Sequence, residues 1–426
     1  MARILILGLS VFIQGLFIAH AQTNKQDQLP VWQKGFLDIH HINTGRGNCT
    51  FMILPDGTTL LVDAGDLDSK KFDKEFSPLK AASHFPNDNE SAGHAIVNFI
   101  KQVYPPVKKN GIDYALITHF HIDHYGEITA NSPLSKYGKY KLAGISEVGE
   151  FILIRNLIDR GYPDYNFPVN LLEYNKSTPS FSNYLDFASY REHNAGMKRE
   201  ALLPGKEDQI QLRHDKKSYP SFHIRNIKAS ATVWTGSGAE TKELFTKKDM
   251  FDKGKKSFNE NYLSLALKIS YGAFDYFTGG DNPGLKEDSI KWHDVETPMG
   301  KAIGAVDAMS LDHHGNRDAT NKDFLETLSP KVAVMQSWCS DQPGQEVAFR
   351  LINQNKSKDS CHVFALYLHP ETTVYLGPWV NDVLKSREGH VLIRVLPGGN
   401  KFFVYVLDDK VSSVQVKSIF GPYLSN

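Results

Sequence analysis

One short segment restricts the fold of this chain more than any other: residues 118–124, which read Thr-His-Phe-His-Ile-Asp-His and follow an apolar run typical of a buried strand. Side chains two residues apart in an extended chain point to the same side, so His119 and His121 can reach one metal ion. Asp123 and His124 then lie in the following turn, where they can face a second ion. A chance match to this spacing has a probability on the order of one in a thousand. The segment therefore predicts a two-metal site at the end of a strand.

Two metal ions held close together suit hydrolysis. A water molecule that bridges them loses its proton near neutral pH and becomes a nucleophile, and the ions stabilise the oxyanion that develops during attack. The alternative interpretation, surface histidines that cluster by chance, carries no chemistry. We therefore expect a metal-dependent hydrolase.

Strands and helices alternate along the rest of the chain. Residues 36–42, 49–54 and 59–63 have the short β patterns and the Gly and Asp turns of a meander, and residues 92–103 place their apolar side chains on one stripe of a helix. Because no Pro- or Ser-rich linker separates the elements, residues 30–426 are predicted to form one α/β unit. Further strands are predicted at residues 114–118, 222–227, 263–270, 274–278, 302–311, 332–336, 363–368, 391–396 and 402–407, and further helices at residues 184–197, 322–328 and 344–355.

A lysine-rich stretch, residues 241–256, departs from this alternation and follows two glycines, Gly236 and Gly238. Charge-rich segments of this kind usually form solvated insertions. The alternative is an inserted lid, residues 236–258, beside the binding site of an anionic substrate.

Residues 1–21 have the character of a secretory signal peptide. Arg3 precedes an apolar stretch that is short for a membrane span, and the stretch ends in Ala-His-Ala, which matches a cleavage site. An uncleaved N-terminal anchor is the alternative. We expect a secreted or periplasmic protein with no membrane span after cleavage. Export would place the cysteines in an oxidising compartment, where Cys339 could pair with Cys361.

The charges of the chain balance, with 48 Lys and Arg residues against 48 Asp and Glu residues. Tight non-specific binding to nucleic acid relies on many Lys and Arg contacts with phosphates, so we expect no stable nucleic-acid binding. A charged substrate must be held by a local site, because no overall field collects it. With 41% apolar residues and three cysteines, the chain is neither disordered nor a disulfide-rich scaffold.

The histidine-rich segment and three others, residues 59–65, 277–281 and 311–315, resemble the metallo-β-lactamase superfamily in their order along the chain. This resemblance implies a four-layer αβ/βα sandwich, the metallo-β-lactamase fold. Within the superfamily, residues 45–48 and 259–261 add a likeness to the hydrolase domain of ComEC-type competence proteins and its stand-alone secreted relatives.

The resemblance also implies a role for each candidate residue. His314 is favoured over His313 as the late metal ligand, because that ligand commonly precedes a small residue. The competing assignment makes His313 the ligand and gives His314 a supporting or substrate-binding role. Two zinc ions are implied, and manganese or iron could replace them. The implied set is His119 and His121 for the first ion, Asp123 and His124 for the second, Asp281 as the bridge, His314 or His313 to complete the second site, and Asp63 to hold a ligand histidine in one tautomer, with Asp123 and Asp281 in the catalytic role.

The chain departs from the family pattern in three places. Typical members supply another histidine to the first metal site, and here no clear motif surrounds His193, His214 or His223. Asn48 stands where the ComEC pattern has Asp, and residues 342–343 read Gln-Pro where that pattern often has His-Pro. The first departure bears on occupancy of the first metal site, and the other two bear on substrate contacts.

Two asparagines are candidate substrate contacts. Asn48 follows Gly45 and Gly47, which allow a tight turn, and its amide can hydrogen-bond a substrate without adding charge. Asn261 precedes the strand that leads to Asp281. Each could instead satisfy a turn, as Asn often does.

The function predicted from the sequence is therefore an exported, zinc-dependent hydrolase that acts on a phosphodiester or phosphoester. Its partner would be a small molecule or a cell-surface phosphoester. Hydrolysis of a β-lactam or lactone is the runner-up, and a metal-binding or scaffold protein without catalysis is the third hypothesis.

Overall fold

The computed structural model of the protein describes most of the chain, and the predicted signal peptide, residues 1–21, lies outside the described residues. Residues 252–257 of the predicted lid lie outside them as well. Within the described part, no helix is both long enough and apolar enough to cross a membrane. The described residues are 28–251, 258–285, 290–355, 361–411 and 413–426.

The strands of the described residues form two sheets of nine strands each. In chain order they are β1 (Leu37–His41), β2 (Thr50–Ile53), β3 (Thr59–Val62), β4 (Tyr114–Leu116), β5 (Asn156–Asp159), β6 (Lys198–Ala201), β7 (Phe222–Ala229), β8 (Thr232–Trp234), β9 (Thr241–Glu243), β10 (Ala266–Tyr271), β11 (Phe274–Gly279), β12 (Ala308–Ser310), β13 (Val332–Met335), β14 (His362–Ala365), β15 (Leu384–Ser386), β16 (His390–Val395), β17 (Lys401–Leu407) and β18 (Val416–Leu424). The first sheet has the order β18-β17-β16-β1-β2-β3-β4-β5-β6, and the second has the order β15-β14-β13-β12-β11-β10-β7-β8-β9.

Several helices pack on the outer faces of both sheets, and others lie in the connections between strands. They are α1 (Ser69–Glu75), α2 (Ala92–Val103), α3 (Val107–Asn110), α4 (Ile122–Tyr125), α5 (Gly144–Phe151), α6 (Leu171–Tyr174), α7 (Pro179–Ala195), α8 (Lys247–Met250), α9 (Glu296–Ile303), α10 (Lys322–Leu328), α11 (Gln345–Asn355), α12 (Pro370–Leu376) and α13 (Val380–Val383). Short 3-10 turns at Glu260–Leu263 and Asp312–Gly315 belong to the site described below.

Three buried apolar clusters divide the molecule into four layers. One packs α2, α5 and α7 against the first sheet, one lies between the two sheets, and one packs α9, α10 and α11 against the second sheet. Each sheet is therefore buried on both faces by apolar side chains, as its near-continuous apolar strands require. The prediction of a four-layer αβ/βα sandwich is confirmed.

Helix α2 shows how the sequence produces one of these layers. Its predicted bounds are confirmed. The helix begins after Ser91 because the Ser91 side chain caps the first turn by accepting a hydrogen bond from the N–H of His94. Ile96, Phe99 and Ile100 then face the first sheet and are buried. Burial of each such side chain contributes about 1.5–3 kcal/mol, which exceeds the propensity of the isolated helix.

The parallel strands decide where a site can form. In the first sheet β3, β4, β5 and β6 run parallel, and in the second sheet β11, β12, β13 and β14 do. The carboxyl ends of parallel strands share one edge of a sheet, and ligands bind at such edges. The segments that follow β3, β4, β11 and β12 therefore meet at this edge, where the two sheets lie side by side.

Two expectations from the sequence fail. The strand predicted at residues 302–311 is wrong over most of its length. Helix α9 extends to Ile303, Gly304 ends it with a φ of 72°, and β12 begins only at Ala308. A Cys339–Cys361 disulfide does not form. Both thiols are free and buried, in separate apolar clusters.

The lysine-rich stretch contains structure of its own. Strand β9 pairs with β8, and Phe245 and Met250 are buried in a small cluster with Tyr262 and Val295. Whether residues 236–258 act as a lid stays a prediction.

Candidate metal centre

The predicted ligands come together where the two sheets meet. His119 and His121 follow β4, and Asp123 and His124 lie in α4, so one short segment supplies four of them. Asp281 arrives from the other sheet, just after β11. The late histidines follow β12 in the turn Asp312–Gly315.

Four side chains form the larger of two overlapping ligand groups: Asp123, His124, Asp281 and His314. Nε2 of His124 lies 3.1 Å from Oδ1 of Asp281, and Nε2 of His314 lies 3.1 Å from Oδ2 of Asp123. Their ligand atoms all lie within 4.8 Å of one another, and all four residues are buried. Two imidazoles and two carboxylates that converge in this way match the donors of a four-coordinate zinc site.

The smaller group shares Asp281 with the larger one and adds His119 and His121. Nε2 of His119 lies 3.0 Å from Nδ1 of His121 and 3.7 Å from Oδ2 of Asp281. Because Asp281 belongs to both groups, its two carboxylate oxygens can bridge two ions, as the family resemblance implies. A buried His and Asp cluster that could bind metal is therefore present.

Hydrogen bonds outside the cluster fix the tautomers of two ligand histidines. Nδ1 of His124 lies 2.8 Å from Oδ2 of Asp63, and Nδ1 of His314 lies 3.0 Å from Oδ1 of Asn48 and 3.2 Å from the carbonyl oxygen of Gln336. Each Nδ1–H donates to these acceptors, so each Nε2 presents its lone pair to the cluster, as a metal ligand must.

The unsatisfied atoms of the cluster also fit a metal. Nε2 of His124 and Oδ1 of Asp281 are buried and make no hydrogen bond, although they lie only 3.1 Å apart. A buried polar atom without a partner is costly, and bound zinc would satisfy both atoms at once. The donor set and its geometry therefore suit a divalent cation.

The electrostatics point the same way. Burial alone lowers the pKa of His314, but Asp281 and Asp123 raise it to about 9. Burial raises the pKa of Asp123, yet the neighbouring His124 and His314 lower it to about 2. Carboxylates held this firmly in their charged form attract positive charge, which divalent ions would supply.

His313 lies outside both ligand groups of the described residues. Its Nδ1 hydrogen-bonds to Oδ1 of Asp318, and its Nε2 lies 3.3 Å from the side-chain nitrogen of Asn261 and 3.7 Å from Oδ2 of Asp281. Positive φ angles of 46° at His313 and 56° at His314 turn the two adjacent rings apart, at a cost of about 1–3 kcal/mol each. The structure thus places His314 in the larger candidate ligand group and His313 beside it.

The two candidate asparagines have different surroundings. Asn48 is buried and orients His314 through its side-chain oxygen. An amide can accept this hydrogen bond without adding charge to the site. Asn261 contacts His313 through its side-chain nitrogen, and its Oδ1 is buried without a hydrogen bond.

In the described part of the chain, no further histidine joins His119 and His121 in the smaller ligand group. His193 is exposed near the end of α7 and contacts the Ser189 carbonyl, His214 lies near Asp113, and His223 lies near Glu207. Sequence reasoning missed residues that hold the site from a distance: Gln336, Asp318, Glu260, Arg160 and Trp338. Only Asp318, five residues after His313, is close enough in sequence for spacing to suggest a contact.

One wall of the site is apolar and aromatic. The Trp338 ring lies 5.8 Å from the His314 ring and 5.0 Å from the Phe72 ring, measured between centroids. Leu67 and Ile122 pack in the same cluster. This wall excludes water from one side of the cluster, which strengthens the electrostatic interactions inside it.

No family model and no curated protein matches the sequence. Comparison with solved structures does find similar proteins. A mutant of CmlA beta-hydroxylase is similar with a TM-score of 0.38 and 11% identity, over 84% of this chain and 54% of that one. Zn(2+)-bound PqqB from Methylobacterium extorquens is similar with a TM-score of 0.28 and 14% identity, over 65% of this chain and 72% of that one. At these values the function must be argued from the site itself.

The unequal ligand groups predict two-step zinc binding. We expect the four-ligand group to bind zinc at least about 10-fold more tightly than the three-ligand group, because fewer protein ligands hold the second ion. His314→Ala should remove the tight step, and His121→Ala should remove the weak one. Titration of metal-free protein against a chromophoric chelator measures both steps, with the exposed His223→Ala as the control. Two equal affinities, or loss of the tight step in His121→Ala, would contradict this assignment.

Proposed function

We propose that this protein is a metal-dependent hydrolase of the metallo-β-lactamase superfamily and that its substrate is a phosphodiester or phosphoester. The observation that carries the proposal is the pair of buried ligand groups that share Asp281. When bound, two zinc ions would act as Lewis acids and would make a water molecule acidic enough to attack near neutral pH. The resemblance of the motifs to ComEC-type hydrolase domains supports phosphorus rather than carbonyl chemistry.

The chain itself contributes orientation. Asp63 and Asn48 hold the imidazoles of His124 and His314 through their Nδ1 atoms. Asp63 also accepts hydrogen bonds from the backbone and hydroxyl of Thr118, at 2.7 and 2.8 Å. One carboxylate therefore ties the end of β4 to a ligand, so the cluster is formed before substrate arrives.

His313 is placed to hold and deliver a proton. In the protein without bound metal, burial lowers the pKa of His313, but Asp281 and Asp318 more than offset this and raise it above its ordinary value. Its Nδ1–H donates to Asp318, and its Nε2 faces the side-chain NH2 of Asn261, which donates to it when the imidazole is neutral. With a proton on Nε2, that N–H would donate to a substrate oxygen in place of the amide contact. We propose that Nε2 of His313 gives its proton to the leaving oxygen and that Asn261 helps to hold the substrate.

The physiological setting is also a proposal. The N-terminal 21 residues support export to the periplasm or the cell exterior, and the neutral chain supports a small or cell-surface phosphoester rather than stable nucleic-acid binding. The anionic substrate would be attracted locally, because two divalent ions outweigh the carboxylates around them.

A substrate screen tests the proposed reaction. Zinc-loaded protein should hydrolyse bis-p-nitrophenyl phosphate faster than nitrocefin, a lactone or a thioester. Preferential turnover of nitrocefin or the lactone would favour a lactamase or lactonase instead. Purified protein that contains no metal and cannot be loaded with any would leave a scaffold as the better description.

His313→Gln tests the proton-donor role. We expect turnover of a phosphodiester with an alkyl leaving group to fall by about 100- to 10,000-fold, the range of general acid catalysis, and turnover of the p-nitrophenyl ester to fall much less because that leaving group needs little protonation. Zinc content should not change, and His193→Gln on the surface is the matched control. Loss of zinc together with equal losses for both substrates would instead make His313 a metal ligand.

A further inference from the structure

A buried ion pair lies beside the segment that carries His119 and His121 of the smaller ligand group. Nε of Arg160 donates to Oε1 of Glu260 and one of its terminal nitrogens donates to Oε2, both at 2.6 Å. Arg160 follows β5 of the first sheet, and Glu260 begins the turn before β10 of the second, so the pair ties the two sheets together. Buried ion pairs are often no more stabilising than apolar side chains of similar volume. Stability alone therefore does not account for this pair.

Glu260 also holds the backbone between two ligand histidines. Its Oε1 accepts a 3.0 Å hydrogen bond from the N–H of Phe120, which lies between His119 and His121. The Arg160 guanidinium lies 4.9 Å from the centroid of the Phe120 ring. The ion pair thus contacts both the backbone and the side chain of this residue, and it fixes the conformation that directs two imidazoles to one point.

The turn that contains Glu260 reaches the rest of the site. Asn261, the next residue, contacts His313 at 3.3 Å. The hydroxyl of Ser264, just after the turn, accepts a 3.0 Å hydrogen bond from the N–H of Asp281. A single short segment therefore connects the ion pair to the bridging carboxylate as well as to the first two histidines.

We propose that Glu260 and Arg160 are positioning residues that set the metal affinity of the smaller ligand group. The proposal rests on the metal-dependent function argued above. The smaller group has three ligands, His119, His121 and Asp281, so its affinity for a metal ion depends strongly on how well each ligand is held. Outer partners of metal ligands typically change metal affinity by about 10- to 100-fold. Here the outer partner acts through the backbone of the histidine segment.

Glu260→Gln tests the proposal, because it keeps an oxygen for the Phe120 N–H but removes the charge that matches Arg160. We expect zinc to bind the four-ligand group, which takes the first equivalent, with unchanged affinity. It should bind the three-ligand group, which takes the second equivalent, about 10- to 100-fold more weakly, measured against a chromophoric chelator. In protein loaded with Co²⁺, the visible absorption due to the second equivalent should shift. A merely less stable fold would not produce that selective change.

Glu150→Gln is the matched control, since Glu150 forms another buried ion pair with Arg191, at 3.2 Å, in the outer helical layer. It should leave both zinc affinities unchanged. Arg160→Lys provides a second variant that keeps the charge but loses the two-pronged contact, and we expect a smaller loss of the same kind. Wild-type affinity for the second equivalent in both variants would overturn the proposal. Wild-type protein that binds no zinc would overturn the proposed function itself, so the two failures are distinguishable.

Discussion

Asp281→Asn is expected to reduce hydrolysis by more than about 100-fold and to lower the zinc content from close to two ions per chain to one or fewer. Asp281 belongs to both ligand groups, and its carboxylate lies 3.1 Å from His124 and 3.4 Å from His314. An amide has a single oxygen and no charge, so it cannot bridge two cations. The loss should exceed the 10- to 100-fold effects of residues that only support ligands.

Metal analysis of the dialysed variant and its turnover of bis-p-nitrophenyl phosphate provide the two measurements. Asp186→Asn is the matched control, because Asp186 is exposed on α7. The variant should remain folded, since Asn has nearly the same size and shape as Asp and keeps a side-chain oxygen at this position. Two bound zinc ions together with full activity in Asp281→Asn would refute the proposed bridge.

Asp38→Ala is expected to lower the free energy of unfolding by about 3–5 kcal/mol, the usual cost of breaking a buried ion pair from one side. Asp38 and Arg394 face each other across β1 and β16, with oxygen–nitrogen distances of 2.6 and 2.8 Å and side chains 1% and 6% exposed. Removal of the carboxylate leaves a buried guanidinium whose charge has no counterion on the neighbouring strand.

Urea unfolding at neutral pH measures this loss. Glu326→Ala, which breaks the exposed pair with Lys322, should cost no more than about 1 kcal/mol. The double variant Asp38→Leu, Arg394→Met should recover most of the stability, because it leaves no unpaired charge. A loss in Asp38→Ala no larger than that in the surface control would contradict the prediction.

The same pair predicts a dependence on pH. Burial raises the pKa of Asp38, but the hydrogen bonds from Arg394 and the nearby imidazole of His40, 3.7 Å away, outweigh burial and leave the pKa below its ordinary value of 3.8. A carboxyl group whose pKa is lower in the folded state stabilises the fold above its unfolded pKa. The stability gap between the wild type and Asp38→Ala should therefore be constant above about pH 5 and should shrink as the pH falls below 3.8.

Local patterns predicted the helices well where both the apolar stripe and the ends were encoded nearby. Helices α2 and α10 have the predicted bounds, and α10 is capped by the side chain of Asn321. Helix α7 begins earlier than predicted, at Pro179, because proline fits the first turn of a helix. The prediction failed at residues 302–311, where an apolar helix end and a short buried strand follow each other too closely for periodicity to separate them.

The site divides in the same way. Residues 118–124 are close in sequence, so their spacing alone suggested shared metal ions. The contacts of Asn48 with His314 and of Arg160 with Glu260 join residues 266 and 100 positions apart. Such contacts exist only after the two sheets pack, and no local pattern encodes them.

The sequence by itself predicted a shared metal site and, through the resemblance of its motifs to a known superfamily, the four-layer class of fold, because ligand spacing and motifs are local properties of the chain. The tertiary structure alone decided that His314 lies in the larger group of candidate ligands while His313 lies beside it, because left-handed backbone angles turn the adjacent rings apart. It also decided that Asn48 orients a ligand, that Glu260 holds the histidine segment, and that the cysteines stay free. These properties depend on the distances between distant segments, which are fixed only when the two sheets close around the site.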